Sequence, residues 1–155
     1  MNIIELSTGL EHLVTITPVD HSEFKLLHKN RYFFDWKEEQ DQEVYKLQIN
    51  GTTDILGLIS ILSIPSEWRI HIRLLTVSKE NKGKDKIYEK IAGNLIAFVA
   101  KIAVREFGVM ACISLKPKTQ IAQHYINKYN MNPTGTLLSI EVPEILDLIN
   151  TYDND

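Results

Sequence analysis

Between residues 76 and 93 the chain reads TVSKENKGKDKIYEKIAG, and Lys82, Lys84, Lys86 and Lys90 crowd there around a single glycine, Gly83. A strand-like run feeds this basic loop, and the loop opens into a long amphipathic segment. That layout holds phosphates on the N–H groups of a helix start, although a solvated basic turn would read the same way. Two imidazoles add acid–base capacity, His71 on an alternating run and His124 beside Tyr125, because histidine alone titrates near neutral pH without perturbation. His71 shares its face with Arg69 and Arg73, which also fits a surface histidine on a basic strand. The five histidines, His12, His21, His28, His71 and His124, never fall into a compact ligand spacing with one another or with Cys112, which argues against a metal. Cys112 lies mid-strand in an apolar run where nothing nearby would lower a thiol pKa, so it reads as a small core residue. No nucleophile elbow, Walker phosphate loop, HExxH or CxxC is present.

The elements that must position these groups follow from periodicity. HLVTIT alternates as a strand, and PVDHSEFKLLH reads as a helix start with Pro18 and Asp20 in first-turn positions. In RYFFDWKEEQDQE the aromatics Tyr32, Phe33, Phe34 and Trp36 look like core plugs, while Asp35, Glu38, Glu39, Asp41 and Glu43 look like a wet acidic surface. From residue 44 the pattern clears into a three-stranded antiparallel meander. VYKLQI alternates, NGTTD is a hairpin connection, ILGLISILSI is an apolar strand, and WRIHIRLLTV sets Trp68, Ile70, Ile72 and Leu74 opposite Arg69, His71 and Arg73. A helix is expected from about Asp85 to Phe107, with Ile87, Ile91, Leu95, Phe98, Val99 and Ile102 forming its apolar stripe and Gly108 its C-cap. VMACISL then reads as a buried strand, and its arrival straight after a helix implies parallel pairing with the strand before that helix. QIAQHYINKY is a second helix with Thr119 able to cap it, TLLSIEV a last strand, and PEILDLINTY a terminal helix with Pro143 in its first turn. The fold class is therefore α/β or α+β: a single mixed, mostly antiparallel sheet flanked by helices.

Composition bounds the function. The 155 residues suit one domain, and 44% hydrophobic with 24% charged residues is ordinary for a soluble globular chain. A net charge of -3 argues against a protein that coats nucleic acid or an anionic membrane. The single cysteine excludes an intramolecular disulfide, and no apolar run reaches bilayer-spanning length, so the expected location is the cytoplasm.

The run HIRLLTVSKENKGKDKIYEKIAG, followed by VMACISLKPKTQIAQHYINKYNMNPTGTLLSI, resembles the core of the GNAT superfamily of acyl-CoA-dependent N-acyltransferases. In that family a strand ending in Leu-x-Val, here Leu75 to Val77, leads into a loop [Gln/Arg]-x-x-Gly-x-[Gly/Ala] and a long helix. Registering Val77 with the family's valine places Lys82, Gly83 and Lys84 on its common Arg-Gly-Lys triplet. Ala122, Tyr125 and the segment Lys128 to Met131 resemble its later A...Y.k.GF segment, with one residue more after the tyrosine. PKT at 117 to 119 and HY at 124 to 125 resemble a divergent group of small bacterial members. The resemblance spans residues 44–142 and implies a GNAT-like domain: residues 1–43 on the acceptor side, 44–142 as the core, 143–155 as a terminal helix and tail.

It implies acetyl-CoA as co-substrate and an amine acceptor that attacks the thioester directly. Tyr125 would protonate the departing thiolate, and His71 or His124 would take the amine proton. The main chain of Leu75 and Val77 would pair with the pantetheine arm, while Lys82, Gly83, Lys84 and Lys86 would hold the phosphates. Asp85 and Ile87 stand where the family's later loop glycines do. A carboxylate about 5 Å from a phosphate charge would cost on the order of 3 kcal/mol at an effective dielectric of about 20, unless Asp85 instead caps its own helix. Two other readings stay open: a non-catalytic GNAT-fold binding or regulatory protein, such as one of a toxin–antitoxin-like pair, and an acyltransferase acting on aminoacyl-tRNA, against which the mild acidity weighs. Exposed strand edges are able to pair two chains into a homodimer.

Overall fold

The computed structural model describes residues 1–117, 122–134 and 137–153. In chain order its elements are β1 (Asn2–Glu5), β2 (Glu11–Pro18), α1 (Lys29–Tyr32), β3 (Glu43–Ile49), β4 (Gly57–Ile64), β5 (Arg69–Val77), β6 (Tyr88–Glu89), α2 (Ile91–Phe107), β7 (Cys112–Leu115), α3 (Ala122–Tyr129), β8 (Asn132–Thr134), β9 (Leu137–Glu141) and α4 (Glu144–Tyr152). The described strands form one mixed sheet ordered β6-β1-β2-β3-β4-β5-β7-β9-β8. The expected neighbours β3, β4 and β5 are adjacent. No described helix is long and apolar enough to cross a membrane.

Two compact units divide the chain, the first being Met1–Ser60 with Leu74–Ile96. In it β2 lies antiparallel between β1 and β3, and β6 pairs antiparallel with β1 through Ile4 with Glu89 and Glu5 with Tyr88. Phe24, Leu27, Tyr32, Trp36, Val44, Ile55 and Leu58 make its core cluster, with Val19, Phe34 and Leu74 packed against it. Buried tyrosine and tryptophan need partners for their polar ends. Tyr32 Oη donates to Ile55 O at 2.8 Å, and Trp36 Nε1 donates to Tyr32 O at 3.0 Å. Two expectations for this region change. The segment after Pro18 forms a six-residue 3-10 helix, His21–Leu26, set by Asp20 N–H donating to Glu23 at 2.9 Å, while Pro18 itself ends β2. Glu39 is not a wet acid: it is 5% exposed and accepts a hydrogen bond from Ser60 Oγ at 2.9 Å.

The second unit holds residues 61–73 and the described chain from Ala97 to Asp153. β5 and β7 run parallel, pairing Arg69 with Cys112 through Ile72 with Leu115, as the intervening helix implies. β7 pairs antiparallel with β9, and β9 with the short strand β8, which the periodicity does not reveal. Gly108 follows α2 at φ 59°, the left-handed turn that favours glycine. Val109 (84% exposed) and Met110 fall outside the expected buried strand, which begins only at Cys112. Trp68 is likewise not on the core face, because a 3-10 turn at Pro65–Glu67 leaves it at φ 50° and half exposed. The expected Thr119 cap and most of PKT lie outside the described residues.

Candidate active site

The largest departure from expectation is where the long helix begins. α2 starts at Ile91, six residues after Asp85, because tertiary hydrogen bonds take the backbone groups that an earlier turn would need. Asn81, buried, accepts the Tyr88 N–H on Oδ1 at 2.8 Å and donates Nδ2 to Ser78 Oγ at 2.9 Å. Ile87 N–H donates to Glu80 O at 3.3 Å, and Ile87 O accepts Leu6 N–H at 2.9 Å. These bonds close residues 82–86 into an excursion, with Gly83 at φ 88°. Lys82, Gly83 and Lys84 are exposed on it, and Lys86 is half-buried with Glu89 at 3.5 Å. Asp85 does not cap α2, and Ile87 is 45% exposed rather than part of the stripe.

The helix start itself has a distinctive geometry. Lys90 stands at φ 79°, a left-handed conformation that costs a non-glycine residue on the order of 1 to 2 kcal/mol. Its carbonyl accepts both the main-chain N–H of Asn94 at 3.0 Å and Asn94 Nδ2 at 2.8 Å, and the same amide reaches Asn2 O at 2.6 Å. Ile91, Ala92 and Gly93 then supply the first N–H groups, which an α-helix leaves without intrahelical acceptors. Leu75 and Val77 are half-buried near the end of β5, in the part of that strand past the β7 register, which ends with Ile72 opposite Leu115.

The acid–base candidates lie in the second unit. Tyr125 is half-buried on α3, and burial pushes its phenol above the ordinary range. His124, exposed, meets the Tyr125 ring edge-on at 5.8 Å and the Tyr129 ring at 6.1 Å. His71 is elsewhere, on β5. Ser114 Oγ accepts Arg69 Nη1 at 2.7 Å and lies 2.9 Å from His71 Nδ1. The Ser114 hydroxyl, able to donate or to accept, holds the His71 ring at Nδ1. Burial, then Arg69 and Arg73, hold the His71 pKa below its usual value. The unfolded chain takes this proton near pH 6.5, so stability present above that value falls as pH drops through it toward the folded-state pKa. The expected result is a Tm that declines on acidification below about pH 6.5 and declines less in His71→Gln; equal slopes would mean an ordinary His71. Cys112 stays a thiol, its pKa raised by burial and Glu141.

No family profile and no curated protein matches the sequence. Solved structures do match. The spermidine/spermine N-acetyltransferase SpeG of Vibrio cholerae, solved in mutant forms, superposes with TM-score 0.64 at 10% identity over 87% of this chain and 98% of that one. A GNAT-family acetyltransferase from Listeria monocytogenes gives 0.62 at 14% identity over 92% and 100%. The PaiA N-acetyltransferase of Thermoplasma acidophilum, solved with coenzyme A, gives 0.61 at 11% identity over 83% and 99%. The chain has the GNAT fold.

Within this GNAT fold the Lys82, Gly83 and Lys84 triplet sits on the excursion, seven residues of chain separating Gly83 from the first residue of α2. Asn81, Lys90 and Asn94, which shape the helix start, carry no motif that sequence reasoning used. The available signal was the pair Ala92 and Gly93, either of which matches the last position of the [Gln/Arg]-x-x-Gly-x-[Gly/Ala] loop when that loop is set directly against a helix.

Proposed function

We propose that the chain is an acyl-CoA-dependent N-acyltransferase of the cytoplasm, moving the acetyl group of acetyl-CoA to an amine. The observation that carries this reading is Lys90, held at φ 79° at the head of α2 with Ala92 two residues on. On this reading Ile87 to Ala92 would correspond to the family's loop, matching it in type only at Ala92, and Lys90, at positive φ, would stand in for its glycine. The N–H groups of Ile91, Ala92 and Gly93, at the positive end of the helix dipole, would hold the pyrophosphate. Lys90 and Lys86 border that turn, while Lys82 and Lys84 on the excursion would meet the outer phosphate of the nucleotide. Asp85, away from the helix start, no longer opposes the anion there. Leu75 and Val77 would offer main-chain groups to the pantetheine.

In the reaction the amine nitrogen bonds to the thioester carbon and the C–S bond breaks. The sulfur takes its proton from Tyr125, and the amine proton leaves to water or to His124. His71 is the other candidate for the amine proton, its ring held at Nδ1 by Ser114.

The test is a calorimetric titration with CoA, paired with Lys90→Gly. Glycine relieves the left-handed strain at some cost in unfolded-chain entropy, so stability is expected to rise by about 0.5 to 1 kcal/mol and CoA to bind several-fold tighter. A wild-type chain that binds neither CoA nor acetyl-CoA would sink the proposal. The absence of any glycine in the proposed loop favours a second reading, a GNAT-fold protein that binds without catalysis; CoA binding with no thiol release from acetyl-CoA in the presence of amines would select it.

A further inference from the structure

Arg31 joins three separate pieces of the first unit. From α1 its Nη1 and Nη2 donate to the Asp54 carboxylate at 2.8 and 3.1 Å, in the β3–β4 connection. On the other side Nη2 and Nε donate to Glu80 at 2.5 and 3.4 Å, in the 3-10 turn Lys79–Asn81 that follows β5. Burial alone would raise the Glu80 pKa, but the Arg31 hydrogen bonds and charge, with hydrogen bonds from the backbone and Ser78, together outweigh it and hold the carboxyl below its usual range. One guanidinium thus serves two carboxylates in forked geometry, which lysine cannot reproduce.

Glu80 is also the residue whose carbonyl closes the excursion by accepting the Ile87 N–H. A second grip lies beside it, where Lys82 Nζ stands 4.3 Å over the ring of Phe33, itself at φ 70° at the end of α1. The hairpin side is fastened independently, by Tyr32 Oη on Ile55 O at 2.8 Å. The chain from Lys29 to Phe33 therefore touches the basic loop at two points and the β3–β4 connection at two others.

We propose that Arg31 is a positioning residue for the basic loop: through Glu80 it sets the excursion and the chain leading to Lys90, so that a polyanionic nucleotide bound there and the order of residues 29–33 are coupled. The inference rests on the reading of that loop as a CoA site. By linkage the coupling is mutual. An acyl-CoA bound first would order residues 29–33, the acceptor side, before the amine arrives.

The carboxylates make the test asymmetric. Asp54→Asn cuts Arg31 from the hairpin, and Glu80→Gln cuts it from the loop, so both are expected to lower Tm by similar amounts. Only Glu80→Gln and Arg31→Lys are expected to weaken CoA, by about five- to tenfold in calorimetric Kd, and to speed amide exchange across residues 82–87. Equal effects of Asp54→Asn and Glu80→Gln on CoA affinity, or no effect of Glu80→Gln, would overturn the positioning role while leaving the CoA site standing. A wild-type chain that does not bind CoA would overturn the site and the coupling together.

Discussion

Tyr125→Phe is expected to lower kcat for acetyl transfer by on the order of 10²-fold, with CoA affinity unchanged within about twofold. The phenol is a weaker acid than the thiol it would serve. Against a thiol near 8.5, an ordinary tyrosine near 10 makes complete proton transfer uphill by about 2 kcal/mol, and burial at Tyr125 widens that gap. Its contribution is therefore greatest as a hydrogen bond that strengthens while charge builds on sulfur, in surroundings where few waters compete. The pH profile follows with its sign: a raised phenol pKa keeps the proton in place, so no alkaline loss of kcat from Tyr125 is expected below about pH 10. Tyr129 is the control. It is more deeply buried on the same helix, 5.8 Å from Tyr125 ring to ring and 6.5 Å from Tyr152, and its pKa is also driven up by burial. Tyr129→Phe should cost stability and spare kcat. If Tyr125→Phe retained full kcat, the acid would have to be water.

How much of this was legible depends on whether local pattern or distant partners decide each element. The parallel pairing of β5 with β7 follows from a helix between two strands, and the buried side chains of Leu95, Val99 and Ile102 follow from their spacing. Tyr32 and Trp36 could be assigned to a core because aromatics bury the most apolar area. The start of α2 could not. Ile87 stands four residues before Ile91 and extends the apolar stripe backward, so periodicity continues through a segment that is not helical. What stops the helix is a set of non-local bonds, from Asn81 to Tyr88, from Leu6 to Ile87 and between β1 and β6, together with the left-handed turn at Lys90. Asn130 shows the same substitution of roles. It takes φ 55° after α3, where the resembled segment has glycine, and asparagine tolerates that conformation. Glu39 illustrates the opposite problem, one buried carboxylate among four exposed ones, with a partner, Ser60, that lies 21 residues away in the chain.

Gly57→Ala is expected to be a strongly damaging small substitution at the head of α2. A Cβ built there lies 2.6 Å from Ile91 Cγ2 and 3.0 Å from Leu95 Cδ1, with Thr76 O at 3.4 Å. Ile91 is β-branched and buried at the first position of α2, so its methyl has little freedom to turn aside. The added carbon must instead push the first turn of the helix off the sheet. Overpacking of this kind costs about 1 to 3 kcal/mol, or about 3 to 10 °C in Tm at this chain length. The displacement falls on the N–H groups of Ile91, Ala92 and Gly93, and small misplacements of binding groups cost affinity steeply. CoA should bind at least about tenfold more weakly. Gly83→Ala separates this from the alternative register, in which Gly83 itself approaches the pyrophosphate. Nothing lies within 4 Å of a Cβ at Gly83, so alanine there meets only the strain of φ 88°, about 1 kcal/mol. Its CoA affinity should stay near wild type while that of Gly57→Ala collapses. The reverse result would return the phosphate to the excursion and take it from the head of α2.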